Sequence, residues 1–150
     1  MKMLKSALVL LLFLSLKLSA QVEMKEYVVD ISEEGGAIPV MLVRSKFEEY
    51  QNSLIEFGEN LESCSTSSSE MINPFIAKSI NYNLVKSSMC RVRAVFYDRW
   101  EFNCLLPSKI HIALGKSLLN RARTDNAVSD FSLDEKAILF SSGYCRHDQI

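Results

Sequence analysis

The sequence predicts an α+β fold: a three-stranded antiparallel meander, covered on its apolar face by an N-terminal helix and C-terminal helices, and held by two disulfides. Three observations lead there. Apolar residues recur every three or four positions before residue 62 and again after residue 108, but at every second position over most of residues 76–106. Four cysteines, Cys64, Cys90, Cys104 and Cys145, lie beyond an N-terminal segment with the features of an export signal. Of the 150 residues, 48% are apolar and 23% charged, the composition of a chain that buries a core and not of a disordered tail or a collagen-like fibre.

The first twenty residues read as a secretory signal peptide. Lys2 and Lys5 precede an uncharged run from Ala7 to Leu16, and Ser19-Ala20 before Gln21 supplies small residues for cleavage after Ala20. The run is too short for a membrane-spanning helix, which needs about 20 apolar residues. Lys17 closes it, and no later stretch is long and apolar enough. No cysteine follows the cleavage site, so a lipid anchor is not indicated. Three of the 17 basic residues and none of the 18 acidic ones lie in the leader, so the remaining 130 residues carry a charge of −4. That balance argues against binding nucleic acid, which requires a basic face. Residues 21–150 are expected to form a single domain, without repeats or a dividing linker.

Within that domain, Tyr27-Val28-Val29 and Ile31 suggest a short strand, and Glu33-Glu34-Gly35-Gly36 a turn. Residues 38–43 either return as a second strand or lead straight into a helix. Residues 45–61 are that helix, with Phe47, Tyr50, Leu54, Phe57 and Leu61 on one stripe. Ser45 and Glu48 have the spacing of a capping box, and Gly58 is expected to weaken the last turn. Residues 65–70 are serine-rich and read as a polar loop. Alternation then places Ile76, Ile80, Tyr82 and Leu84 on one face of a first long strand. In the next strand Cys90, Val92, Ala94 and Phe96 point inward, with Arg91, Arg93 and Tyr97 outward. After a turn at Asp98-Arg99-Trp100, the inward parity continues through Phe102, Cys104 and Leu106. A second helix opens at Pro107-Ser108 and runs to about Arg121, burying Ile110, Leu114, Leu118, Leu119 and Ala122. Residues 124–130 connect it to a short helix over 132–140. Ser132 and Glu135 can form a capping box there, and Gly143 follows. The alternative for residues 137–140 is a fourth strand.

Four cysteines in an exported chain imply two disulfides. None are spaced Cys-x-x-Cys, which excludes a zinc knuckle or a thioredoxin-type motif. A three-residue loop over 98–100 pairs Ala94 with Cys104 and leaves Cys90 about 13 Å along the strand, so Cys90–Cys104 is disfavoured. Two connectivities remain. A first helix antiparallel to the strand it feeds puts Cys64 near the start of that strand, far from Cys90. This favours Cys64–Cys104 with Cys90–Cys145 over Cys64–Cys90 with Cys104–Cys145.

Motifs of catalysis are missing from the sequence: it has no Gly-x-Ser-x-Gly, no phosphate-binding glycine loop and no His-Glu-x-x-His. His111 reads as a surface or half-buried residue beside the second helix's apolar stripe. A Cys145/His147 thiol pair would need a free sulfur, and the plainer reading is a bridged cysteine followed by a solvated tail. Glu48, Glu49 and Glu56 read as a solvated helix face before they read as paired carboxylates. No cofactor or metal ligand set is expected. The flagged surface is Arg91, Arg93, Tyr97 and Arg99, with Trp100 at the turn, because arginine and aromatic residues are enriched where proteins bind proteins.

The order Cys64, strand, Cys90-Arg91-Val92, then Phe102-Asn103-Cys104-Leu105-Leu106-Pro107, a helix and Cys145 resembles a group of small exported four-cysteine proteins of Gram-negative bacteria. It spans residues 64–145. The resemblance implies export, the cysteine framework and an α+β fold; the group has no assigned activity to carry over. The expectation is a non-enzymatic periplasmic or secreted protein that binds another protein, with the cell envelope as one setting. Its rivals are an inhibitor or immunity protein for a secreted hydrolase, and a secreted enzyme or toxin using a cysteine or a carboxylate.

Overall fold

The computed structural model describes residues 22–30, 37–124 and 131–150. The leader, the turn at residues 33–36 and most of the 124–130 connection lie outside the described residues. Strands β1 (Met24–Asp30) and β2 (Ala37–Val43) pair antiparallel, with Tyr27 opposite Val40. Helix α1 (Arg44–Ser63) follows directly. Then come β3 (Ser67–Asn73), β4 (Lys78–Lys86), β5 (Cys90–Phe96) and β6 (Trp100–Leu106), helices α2 (Ser108–Ala122) and α3 (Leu133–Ser141), and finally β7 (Cys145–Gln149). Strands β3 to β7 form one five-stranded sheet in sequence order, every neighbouring pair antiparallel.

The α+β class therefore holds, but the three-stranded meander does not: a strand is added at each side of it. Both additions were hidden by polarity. β3, read as a serine-rich loop, buries only Met71, and β7, read as a solvated tail, buries only Cys145. An edge strand needs few apolar side chains, because its ladder bonds to a single neighbour and its other side meets solvent. Residues 133–141 are helical, as the capping box predicts: Ser132 Oγ accepts from the Glu135 N–H at 3.2 Å, and Glu135 Oε2 accepts from the Ser132 N–H at 2.7 Å. β4 begins at Lys78, two residues after the exposed Ile76.

The inner face of the sheet is sealed by the helices. All five predicted stripe residues of α1 are buried, and Phe57 stacks on Tyr82 of β4 with ring centroids 4.1 Å apart. Each fully buried leucine or phenylalanine contributes about 1.5–3 kcal/mol relative to exposure. At the start of α1, Phe47 stacks on Tyr27 at 3.9 Å and so attaches the β1–β2 hairpin. The capping box expected at Ser45 is not formed. The helix starts one residue earlier, where the Arg44 N–H donates to Glu23 O at 2.9 Å and the Arg44 guanidinium reaches both Glu23 and Glu48. At the other end Cys64 is left-handed (φ 49°), and Cys64 and Ser65 donate back to Leu61 O and Asn60 O.

Glycine explains how α1 and α2 approach one another. A Cβ at Gly115 would lie 2.5 Å from Glu62 N and 2.7 Å from Glu62 Cα, so only hydrogen fits there. Gly58, expected to weaken α1, instead lies buried beside the Leu119 side chain, and the helix runs on to Ser63.

The disulfides are Cys64–Cys90 and Cys104–Cys145, with Cα atoms 5.6 and 4.0 Å apart. This overturns the favoured pairing, for two physical reasons. The chain enters β3 before β4, and the extra strand reverses direction, returning Cys64 to the end of the sheet where β5 starts. The hairpin register also differs: Ala94 pairs with Phe102 and Cys90 with Leu106. The turn uses Tyr97 and Asp98, both left-handed (φ 56° and 55°), with the Arg99 N–H donating to Phe96 O.

Candidate functional site

Side chains on the outer face of the five-stranded sheet stand in rows set by the ladder. One row crosses all five strands as Ser68, Asn83, Arg93, Asn103 and Arg146. Its neighbour reads Glu70, Asn81, Val95, Glu101 and Asp148. A shorter third row places Arg91 between Val85 and Leu105. Apart from the half-buried Val95 and Glu101, all of these residues are exposed. The face thus carries an arginine-bearing band beside an acidic one, with aliphatic groups flanking Arg91.

Hydrogen bonds orient part of this face. The Arg93 guanidinium donates to Glu101 Oε2 at 2.6 Å, and Asn103 Nδ2 donates to Glu101 Oε1 at 2.8 Å. The Arg93 bond, followed by the Asn103 bond, holds the Glu101 carboxyl down at about 2. The same bond raises Arg93.

Sequence-flagged residues divide between two surfaces. Arg91 and Arg93 belong to the outer face, while Arg99 is exposed in the β5–β6 turn. Tyr97 and Trp100 line a cleft of about 360 Å³ at the turn end of the sheet, with Tyr50, Ile80, Phe96 and Phe102. Lys78 Nζ lies 5.5 Å from the Tyr97 ring centroid. Trp100 is 39% exposed.

The remaining candidates have structural roles. His111 is buried, not superficial: its Nδ1–H donates to Leu61 O at 2.9 Å, where α1 ends. Cys145 is bridged to Cys104 and offers no thiol to His147, whose ring lies 5.9 Å from Phe140 and 6.2 Å from Trp100. Glu48 pairs with Arg44 and Glu49 with Lys46, both at 2.8 Å on exposed surface, and Glu56 is exposed. Among the described residues no group of three or more His, Cys, Asp or Glu side chains converges as a metal site, and no helix is long and apolar enough to cross a membrane.

A larger groove of about 720 Å³ runs between the β1–β2 hairpin, α1 and β3, lined by Met24, Met41, Tyr50 and Ile72 among others. Sequence reasoning missed it because β3 was read as a loop. Its signal was the exposed methionines of the hairpin, Met24 and Met41. Comparison with family models, with curated proteins and with solved structures returns no match.

Proposed function

We propose that this chain is a non-enzymatic protein working outside the cytosol, in the cell envelope or beyond it, that binds another protein through the uncovered face of its five-stranded sheet. One observation carries the reading: helices seal one side of the sheet, while the other presents Arg91, Arg93, Asn83 and Asn103 in register on rigid strands. Arginine on such a platform offers forked donors to a partner's carboxylates and carbonyls. Glu101 already holds Arg93 in place, which lowers the side-chain entropy lost on binding. Arg91, between Val85 and Leu105, supplies the mixed apolar and cationic contact typical of an interface centre. The two disulfides and the resemblance to exported four-cysteine proteins support the compartment.

The test is crosslinking in intact cells and affinity capture from envelope fractions, with the native chain and with an Arg91→Glu/Arg93→Glu variant. The expected result is a defined partner that is lost with the variant, while the thermal unfolding of the two proteins coincides. A partner retained by the variant would overturn the proposal.

A further inference from the structure

The free edge of β7 carries a pattern that complements itself. On its paired side the Leu105 N–H donates to Tyr144 O at 2.8 Å, and the Ile150 N–H donates to Arg99 O at 2.9 Å. Residues of an antiparallel strand alternate between directing backbone groups at a neighbour and away from it. Tyr144 and Ile150 therefore fix the phase: Arg146 and Asp148 bond to β6, whereas Cys145, His147 and Gln149 direct N–H and C=O off the sheet. No strand pairs with that edge among the described residues, and residues 146–150 are exposed.

The outer-face side chains of β7 are Arg146 and Asp148, placed symmetrically about His147. We propose that two copies of this chain join edge to edge through β7, antiparallel about a two-fold axis at His147, making one continuous sheet. Cys145 then opposes the partner's Gln149 and His147 its counterpart, pairs in which every backbone group points toward the interface. Arg146 stands opposite the partner's Asp148, and Asp148 opposite the partner's Arg146. These are non-hydrogen-bonded pairs, whose Cα atoms lie about 4.5 Å apart and whose side chains meet closely.

Backbone phase allows dyads at Arg146, His147 or Asp148, and charge selects among them. Centring on Arg146 or Asp148 would use the same outward backbone groups but set like charges directly opposite each other. Charged residues on an edge usually keep strands apart; this arrangement repels a mismatched strand and accepts its own. The β3 edge offers no such match, because its one charged residue is Glu70. The dyad is perpendicular to the sheet, so both outer faces look the same way. The row containing Arg93, Asn103 and Arg146 then continues into the partner's Asp148 and Glu101. The dimer stands independently of whether that face binds another protein.

Sedimentation equilibrium of the oxidised full chain tests this. The native chain should show a monomer–dimer equilibrium. Asp148→Arg and Arg146→Asp should each raise the dimer dissociation constant about tenfold or more, since two attractive pairs become repulsive. The double variant Arg146→Asp/Asp148→Arg should restore the native value. Gln149→Pro, which removes an outward N–H without touching the β6 ladder, should weaken dimers as well. A native chain that stays monomeric at millimolar concentration overturns the proposal. So do dimers indifferent to the single changes, or a double variant that fails to recover.

Discussion

Gly115→Ala tests whether backbone contact between α1 and α2 organises the core. Ordinary contact begins at 3.4 Å, and the added carbon would lie 2.5 Å from Glu62 N, so the helices must separate by about 1 Å. The obstacle is backbone on one side and backbone-fixed Cβ on the other, so no rotamer change relieves it. Separation loosens the packing of Leu114, Leu118 and Leu119 against α1, and overpacking of this kind costs about 1–3 kcal/mol. Alanine's better helix propensity offsets about 1 kcal/mol of that, leaving a net loss of up to about 2 kcal/mol. Urea unfolding of the oxidised protein measures it, and Tm should fall by about 4 °C for each kcal/mol. Gly58→Ala is the control: it meets the Leu119 side chain at 3.0 Å, which can rotate, and should be destabilised less. If Gly115→Ala unfolds at a higher urea concentration than the native protein, or is the more stable of the two glycine variants, the helices are not held at contact distance and the reasoning fails.

The remaining predictions concern polar contacts and the disulfides. His111→Leu should lose about 1–3 kcal/mol in the same assay, since it removes the buried donor to Leu61 O. Burial alone would raise the Glu135 carboxyl, but Arg121, Ser117 and the Ser132 backbone together hold it below its usual 4.5. The unfolded chain therefore takes up the proton first, and stability present above about 4.5 is lost as pH falls toward the lower folded value. Glu135→Gln should show a shallower acid slope below about pH 5 and, from the lost charge opposite Arg121, up to about 1 kcal/mol less stability at pH 7, because glutamine can still accept from the Ser132 N–H. Peptide mapping of the unreduced protein should recover Cys64–Cys90 and Cys104–Cys145 with no free thiol. Replacing Cys104 and Cys145 by serine should lower stability by up to about 4 kcal/mol. In hydrogen exchange that variant should deprotect Arg146 and Asp148 before any amide of β4 or β5.

What could be read from the sequence was whatever apolar periodicity marks. The α1 stripe from Phe47 to Leu61 and the inward rows of β4, β5 and β6 are strong patterns, and both were placed on the correct faces. Capping chemistry was legible at Ser132 but misleading at Ser45, because the chain passes from β2 into α1 without a break and Glu23 satisfies the first donor. The turn between β5 and β6 ran against residue preference: Tyr97 takes a left-handed conformation that tyrosine seldom adopts. Burial of His111 follows from the close approach of α1 and α2, a tertiary fact that local sequence does not carry. Of the flagged surface, Arg91 and Arg93 were correctly assigned outward. Trp100, expected in the turn, pairs with Phe96 as the first residue of β6, and Tyr97, expected outward, is half-buried beside it in the turn-end cleft.

The polarity that hid β3 and β7 also accounts for where the sulfurs are. An interior strand such as β4 is held by Ile80, Tyr82 and Leu84, three buried side chains at about 1.5–3 kcal/mol each. β3 offers Met71 alone, and β7 offers only its cysteine. A strand so poor in apolar surface does not offset the entropy of ordering its backbone, about 1–2 kcal/mol per residue, by burial. Cys64, three residues before β3, is anchored to β5, and Cys145, the first residue of β7, to β6. Each bridge confines the unfolded chain by about 3.5–4 kcal/mol, comparable to the missing apolar contacts. The disulfides thus act at the margins of the sheet, where the hydrophobic core is weakest, and they leave the outer surfaces of both edge strands free to remain polar.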